Sequence, residues 1–438
     1  MEDKFRNQLK RLGVMKGLKA LQPSRPPAPA EPARRARSAL PGGEIATPHG
    51  PVWVEKQVYP SAHLHGRYAL GEMQRLPAEA LPLFGVADLG ARPAFLDTET
   101  TGLAGGAGTL AFLTGIGVWE GDAPQGGALT LHLVFLRSPD EELAAMRYVE
   151  GVLDGATGIV SFNGNGFDLP LLESRFILNR LAPRWRALPH LDLLTVARQL
   201  WRDHLESRRL GMLETAILRV QRAEVDIESA LIPWLYRQYL DTGDTSDMAR
   251  VFYHNRIDVL SLVSLLVHVT RMVTFPEQMA LAPGEWVGVG RVYDRAGREA
   301  EAFKAWERAL VEESGTLDEG AAARLWCEMA LRHKRCGAWE RAFALWDDWA
   351  TCHPLAVEPL VERAKYYEWT ACDLRAALSE TDAALQRAGR HPRSLKQMGL
   401  LAELRHRKDR LERKLANGRV SESADGRMSE SANQRMEE

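Results

Sequence analysis

Two carboxylates one residue apart, Asp97 and Glu99, end a short apolar run, Ala94-Phe95-Leu96. A run of this kind predicts a buried strand, and on a strand residues i and i+2 point to the same face. Both acids would then converge on one point, where like charges repel unless a cation offsets them. Hard oxygen donors in that arrangement suit Mg²⁺ or Mn²⁺ better than zinc. A chance pair of surface acids at a strand end is the competing reading, and only the rest of the chain separates the two.

A second apolar run, Ile159–Phe162, leads into Asn163-Gly164-Asn165-Gly166-Phe167-Asp168. The Asn-Gly alternation predicts a turn. Asp168 opens the periodic segment Leu169–Leu181, which reads as a helix, so the acid is either a cap or a ligand. A third segment runs from Val251 to Val267 and reads as a buried helix carrying His254 and Asp258. Four residues apart, those two share a face. Buried helices rarely carry an unpaired Asp.

The D-x-E strand, the N-x-x-x-F-D turn and the helical H-x-x-x-D, in that order, resemble the DEDD exonucleases of the ribonuclease H-like superfamily, and within them the YprB-like group. The resemblance spans roughly 91–269 and includes the spacers His190-Leu191-Asp192-Leu193-Leu194 and Ser207-Arg208-Arg209-Leu210-Gly211-Met212-Leu213-Glu214. It implies an α/β ribonuclease H-like domain, with a mixed sheet of three antiparallel strands followed by parallel ones and flanking helices. It also implies that Asp97, Glu99, Asp168 and Asp258 hold two Mg²⁺ or Mn²⁺ ions for phosphodiester hydrolysis. Thr98, Thr101, Leu103, Asn163 and Asn165 fall where the family seats its substrate. Family members carry an auxiliary His five positions before the last Asp, or a Tyr four before it. Here His254 stands four before and Tyr253 five before. His254 is preferred as the catalytic base because it lies one helical turn from Asp258; Tyr253 stays open.

The elements that must position these groups are legible as strands at 94–98, 110–119 and 129–136, a helix at 140–153, a strand at 159–162 and another near 191–194. A small β segment at 51–59 precedes them. The Gly-rich run 102–108 lacks a following Lys-Ser/Thr and reads as a turn, while Gly288-Val289-Gly290 lacks the third glycine of a dinucleotide fingerprint and reads as helical.

Beyond about residue 280 the pattern is helical. Gly297, Ala302-Phe303 and Trp306 recur as Gly337, Ala342-Phe343 and Trp346, and Leu374 and Ala377 stand where Trp339 and Ala342 do. This period resembles tetratricopeptide-type hairpins, which present a surface to a protein partner. The organisation expected is a basic segment and Pro/Ala-rich linker at 1–50, the nuclease-like domain at 51–279, repeats with their own core at 280–405, and a disordered tail at 406–438. On this division a fragment ending near Met279 would fold and cleave by itself.

A net charge of −2 argues against a strongly basic nucleic-acid binder. Local basic groups remain: Lys4, Arg6, Lys10, Arg11, Lys16 and Lys19 at the start, and Arg198, Arg202, Arg208 and Arg209 near the motifs. No run of 18 apolar residues is present, so no membrane partner is expected. The four cysteines form no C-x-x-C pair, consistent with reduced thiols in a cytoplasm. The reading favoured is a 3′–5′ exonuclease on single-stranded DNA or RNA. A scaffold on an inactive nuclease fold and a structure-selective endonuclease are the alternatives.

Overall fold

The computed structural model describes residues 40–102, 108–121, 127–222, 227–311, 317–390 and 395–434. The basic segment 1–21, Leu103 and most of the glycine run lie outside them. Nine strands are described: β1 (Gly43–Thr47), β2 (Gly50–Pro60), β3 (Leu64–His65), β4 (Tyr68–Ala69), β5 (Pro93–Thr100), β6 (Ala111–Glu120), β7 (Ala128–Phe135), β8 (Gly158–Ser161) and β9 (His190–Asp192). Seven form one sheet in the order β1-β2-β7-β6-β5-β8-β9, and β3 pairs with β4. Neighbours from β1 to β5 are antiparallel; β5-β8 and β8-β9 are parallel. The mixed sheet is the one the sequence predicts, with two adjustments. β1 joins the sheet, so structure begins inside the segment assigned to the linker. The strand expected near 191–194 stops at Asp192, whose carboxylate caps the helix that starts at Leu193.

Helices of eight or more residues are α1 (Glu142–Leu153), α2 (Asp168–Leu178), α3 (Leu193–Leu200), α4 (Ile232–Thr242), α5 (Met248–Thr274), α6 (Pro283–Arg295), α7 (Glu299–Val311), α8 (Glu319–Arg335), α9 (Trp339–Cys352), α10 (Glu358–Trp369), α11 (Leu374–Ala388) and α12 (Leu395–Gln434). Both faces of the central strands are covered. His132 of β7 meets Tyr148 of α1 and lies opposite Ile116. The alternate residues Gly115 and Gly117 face Asn255 and Val259 of α5 instead. That double cover explains why β6 reads as an almost unbroken apolar run. By length and composition α5 could cross a membrane, yet 78% of its most apolar stretch is buried in the protein.

The first helices of the helical part share the core of the nuclease-like domain, while the later hairpins have smaller clusters of their own around Trp346 and around Leu360. One cluster of buried apolar side chains runs from Val52 to Met329 and takes in Trp286, Val289, Val292 and Trp306. The glycines Gly284 and Gly288 are seats for this contact. A β-carbon at Gly288 would overlap the Leu200 backbone, and one at Gly284 would overlap Asp203. Polar bonds cross the same boundary: Trp201 Nε1 donates to Glu285 Oε1 at 2.9 Å, and Tyr293 Oη donates to the Val273 carbonyl at 2.7 Å. Arg291 reaches the Gln199 carbonyl and pairs with Asp203. The expected boundary at 279 therefore falls inside a packed core.

Three helical hairpins follow, α6-α7, α8-α9 and α10-α11, and α12 packs on α11. Gly297 and Gly337 turn into the second helix of the first two with positive φ (74° and 72°). Cys372 holds the same place in the third hairpin at φ 56°. Ala302, Ala342 and Ala377 follow each by five residues and are fully buried. A left-handed conformation costs a β-carbon-bearing residue roughly 1 kcal/mol relative to Gly. Cys372→Gly is accordingly expected to raise the unfolding temperature; a lower value in a thermal melt would show that the thiol packs usefully there. All four cysteines are free and exposed.

Residues 406–417, assigned to a disordered tail, are instead part of α12. Arg407, Arg410 and Lys414 converge on the Glu368 carboxylate at 3.0, 2.7 and 2.9 Å, and that carboxylate is wholly removed from solvent.

Candidate active site

β5 carries Asp97 and Glu99 on one face, as alternation requires. Asp97 stands opposite Gly115 of β6. Asn255 of α5 lies over that glycine and donates through Nδ2 to Asp97 Oδ2 at 2.6 Å. A β-carbon at position 115 would overlap Asn255 Oδ1. The absent side chain is thus what lets α5 approach the acids. Gly115→Ala should cost about 1–3 kcal/mol and displace Asn255 from Asp97. Thermal melts and cleavage assays check this, and an unchanged melt with full activity would deny the contact.

Asp168 arrives from the other side. β8 pairs with β5 only from Pro93 to Phe95, so the β5 edge is open beyond that point. The start of α2 fills the opening. Thr98 Oγ1 donates to Asp168 Oδ1 at 2.5 Å, and backbone N–H groups of Thr98 and Asp168 also support the carboxylate. Thr98, expected at the substrate, here holds an acid. Thr101 is also in structural use, exchanging bonds with Leu110 through its N–H and Oγ1 across the ends of the loop.

Asn163 and Asn165 are exposed, and their backbone N–H groups donate to Asp192 at 2.8 and 3.2 Å. Asn163 adopts φ 68°, a conformation Asn tolerates. Asp192 therefore clamps the turn before Asp168 while capping α3. It was visible only as part of the H-L-D-L-L spacer.

α5 supplies the rest. His254 Nε2 is 3.4 Å from Asp258 Oδ2 and 3.8 Å from Glu99 Oε1. Ligand atoms of Glu99, His254 and Asp258 lie within 4.8 Å of one another, a spacing able to hold a metal ion. His254, one of the two residues left open by spacing, brings its ring against Glu99 and Asp258.

The electrostatics tie all four acids together. Burial, then Asp258, Asp168 and Glu99, push Asp97 well above the usual carboxylate range. Burial, opposed by His254 and reinforced by Asp258 and Asp168, raises Glu99 to about 8. Burial raises Asp168 to about 6 against the opposing bonds from Thr98. Such carboxylates gain from any cation that replaces lost hydration. The carboxylate-rich donor set is of a kind that can hold a divalent metal ion.

Two residues outside the motifs complete the site. Arg222 donates through Nη2 to Asp258 Oδ1 at 2.6 Å and to Glu214 Oε2 at 2.8 Å, while its Nη1 lies 3.1 Å from His254 Nδ1. Glu214, nearly inaccessible, also accepts from Ser261 Oγ at 2.7 Å. Glu214 ends a spacer already noted; nothing in the local sequence singled out Arg222. Of the arginines near the motifs, Arg198, Arg202 and Arg209 are exposed, and Arg208 donates to the carbonyls of Leu205 and Glu206.

A family model of the ribonuclease H superfamily matches residues 94–270, the span that holds every one of these groups. The chain belongs to the ribonuclease H superfamily, in the group that includes YprB. It is 30% identical over 347 residues to the uncharacterized protein YprB of Bacillus subtilis (strain 168), covering 75% of this chain and 79% of that one. Nucleases of this superfamily bind nucleic acid and use divalent metals.

Proposed function

We propose that the protein is a divalent-metal-dependent 3′–5′ exonuclease acting on single-stranded DNA or RNA. The observation that carries the reading is the convergence of Asp97, Glu99, Asp168 and Asp258 on one another, with every acid in place and His254 against them. An interaction scaffold has no use for a buried carboxylate cluster that disfavours its own ionised state. The four acids would hold two Mg²⁺ or Mn²⁺ ions, which when bound supply charge neutralisation and an activated water.

The chain's own residues do the remaining work. Asn255 and Thr98 keep Asp97 and Asp168 in place. His254 presents Nε2 toward Glu99 and Asp258, the position from which a ring nitrogen would take a proton from an attacking water. The exposed turn at Asn163–Asn165 borders the acids and is a surface for the strand being cut. The helical hairpins, in the tetratricopeptide-like reading, offer a surface to a protein partner.

End-labelled single-stranded DNA and RNA, incubated with the full chain and Mg²⁺ or Mn²⁺, test the proposal. A ladder shortening from the 3′ end is expected. Internal cuts would point to the endonuclease alternative, and no cleavage of any substrate would point to the scaffold.

A further inference from the structure

Far along the chain from the acids, the buried carboxylate of Glu368 on α10 meets three cations of α12: Arg407, Arg410 and Lys414. Arg410 alone spans both of its oxygens, through Nε at 3.1 Å and Nη2 at 2.7 Å. That fork satisfies and neutralises the acid. Arg407 and Lys414 are then surplus to it, and two positive charges remain uncompensated at one spot. The surplus continues along the helix. At about 100° per residue, Arg407, Arg410, Arg413 and Lys414 share an arc of about 120°, and over 403–417 that arc holds a single acid, Glu403. Arg413 is exposed.

Trp369, the last residue of α10, stands beside this arc with 62% of its surface in water. Lys414 lies 4.3 Å and Arg410 5.6 Å from its ring centroid. The two cations hold the ring from the α12 side, and its remaining surface faces solvent. A merely solvated basic face needs no indole in water. An apolar docking patch would not be bordered by four cations. Cations around an open aromatic ring match a polyanion that carries flat rings of its own: phosphates take the guanidinium and ammonium groups, and an unpaired base stacks on the indole.

We propose that the α10–α12 face is a second nucleic-acid contact, which binds single-stranded DNA or RNA by pairing phosphates with Arg407, Arg413 and Lys414 and by stacking a base on Trp369. An unpaired strand is the class that fits, because a duplex keeps its bases stacked on one another. No group in this contact needs a metal ion, so the strand is held whether or not the acids are loaded. The contact goes beyond the nuclease reading and does not depend on cleavage.

Two measurements on the full chain in chelator test it. In the first, the indole N–H signals of the 12 tryptophans are followed by ¹⁵N NMR, with Trp369 assigned by its loss in Trp369→Phe. Oligo-dT or oligo-U should shift the Trp369 signal. A signal that stays in place with strand in excess overturns the proposal. This arm needs no weakened variant to fold.

In the second, fluorescence anisotropy follows binding of the same labelled strands. Trp369→Ala should weaken it on the order of tenfold. Arg413→Gln should reduce the slope of log affinity against log salt by roughly 0.7, the worth of one phosphate contact on a single strand. Both side chains are exposed, and neither touches Glu368. Variants that bind like the wild type overturn the proposal. So does polyglutamate that shifts the Trp369 signal and displaces the strand at equal charge, which would give the face to an acidic protein partner. A chain that binds strand through Trp369 yet cleaves nothing with Mn²⁺ would keep this contact and remove the nuclease reading instead.

Discussion

Glu99→Gln is expected to slow divalent-dependent cleavage by at least about 10²-fold while stabilising the metal-free protein at pH 8. The two effects share one cause. Glu99 sits on β5 within reach of His254 and Asp258, where burial raises its carboxyl from 4.5 to about 8. In the unfolded chain the group ionises near its ordinary value. Stability from the protonated form is therefore complete below about 4.5 and drains away as pH climbs to about 8. At pH 8 the metal-free fold carries a charge it disfavours, and glutamine removes it, so the variant should melt at a higher temperature there. At pH 4.5 the gain should vanish. Thermal melts in chelator at both values, beside cleavage assays with Mn²⁺, decide the matter. Full activity would remove Glu99 from the chemistry, and a lower melt at pH 8 would show that its charge is already compensated.

A fragment ending at Met279 is expected to be insoluble or to unfold without cooperativity, the reverse of what sequence periodicity suggests. Trp286, Val287, Val289, Val292 and Tyr293 of α6 are all buried, against the nuclease-like domain and α7. Each contributes roughly 1.5–3 kcal/mol, so their sum rivals the whole stability of an ordinary domain. Deleting α6 would also leave Trp201 Nε1 and the Val273 carbonyl without the partners they have in the fold. A fragment extended to Val311 restores α6 and α7 and should recover a cooperative melt. If the shorter fragment melts sharply within a few degrees of the full chain, the shared core contributes little and the boundary at 279 stands.

These two cases mark where sequence was sufficient. Strand and helix periods put Asp97 with Glu99 and His254 with Asp258 on shared faces, and the resemblance to the DEDD exonucleases joined these pairs to Asp168. The β5-β6-β7 meander was readable because its short connections leave few pairings open. Arg222 was not, because it meets His254 and Asp258 from 32 and 36 residues away with no periodic element to announce it. Gly288 was correctly placed in a helix, yet its purpose lies in the backbone of Leu200, which no local pattern names. Charged residues at 407, 410 and 414 looked like solvated tail until Glu368 supplied their partner. Thr98 was given to the substrate and turned out to face Asp168, because strand alternation fixes the side of the sheet but not what enters at its edge.

β8 stays zipped to β5 for only three residue pairs and then departs. The gap between the two backbones is filled by the start of α2, which is how Asp168 reaches Thr98. No single substitution at the acids can close it. A relative that exchanged one carboxylate would keep the gap and the seat it gives α2. Closing it would take a longer β8, a change of chain length and register. In this architecture the seating of Asp168 is a property of strand length rather than of any one side chain.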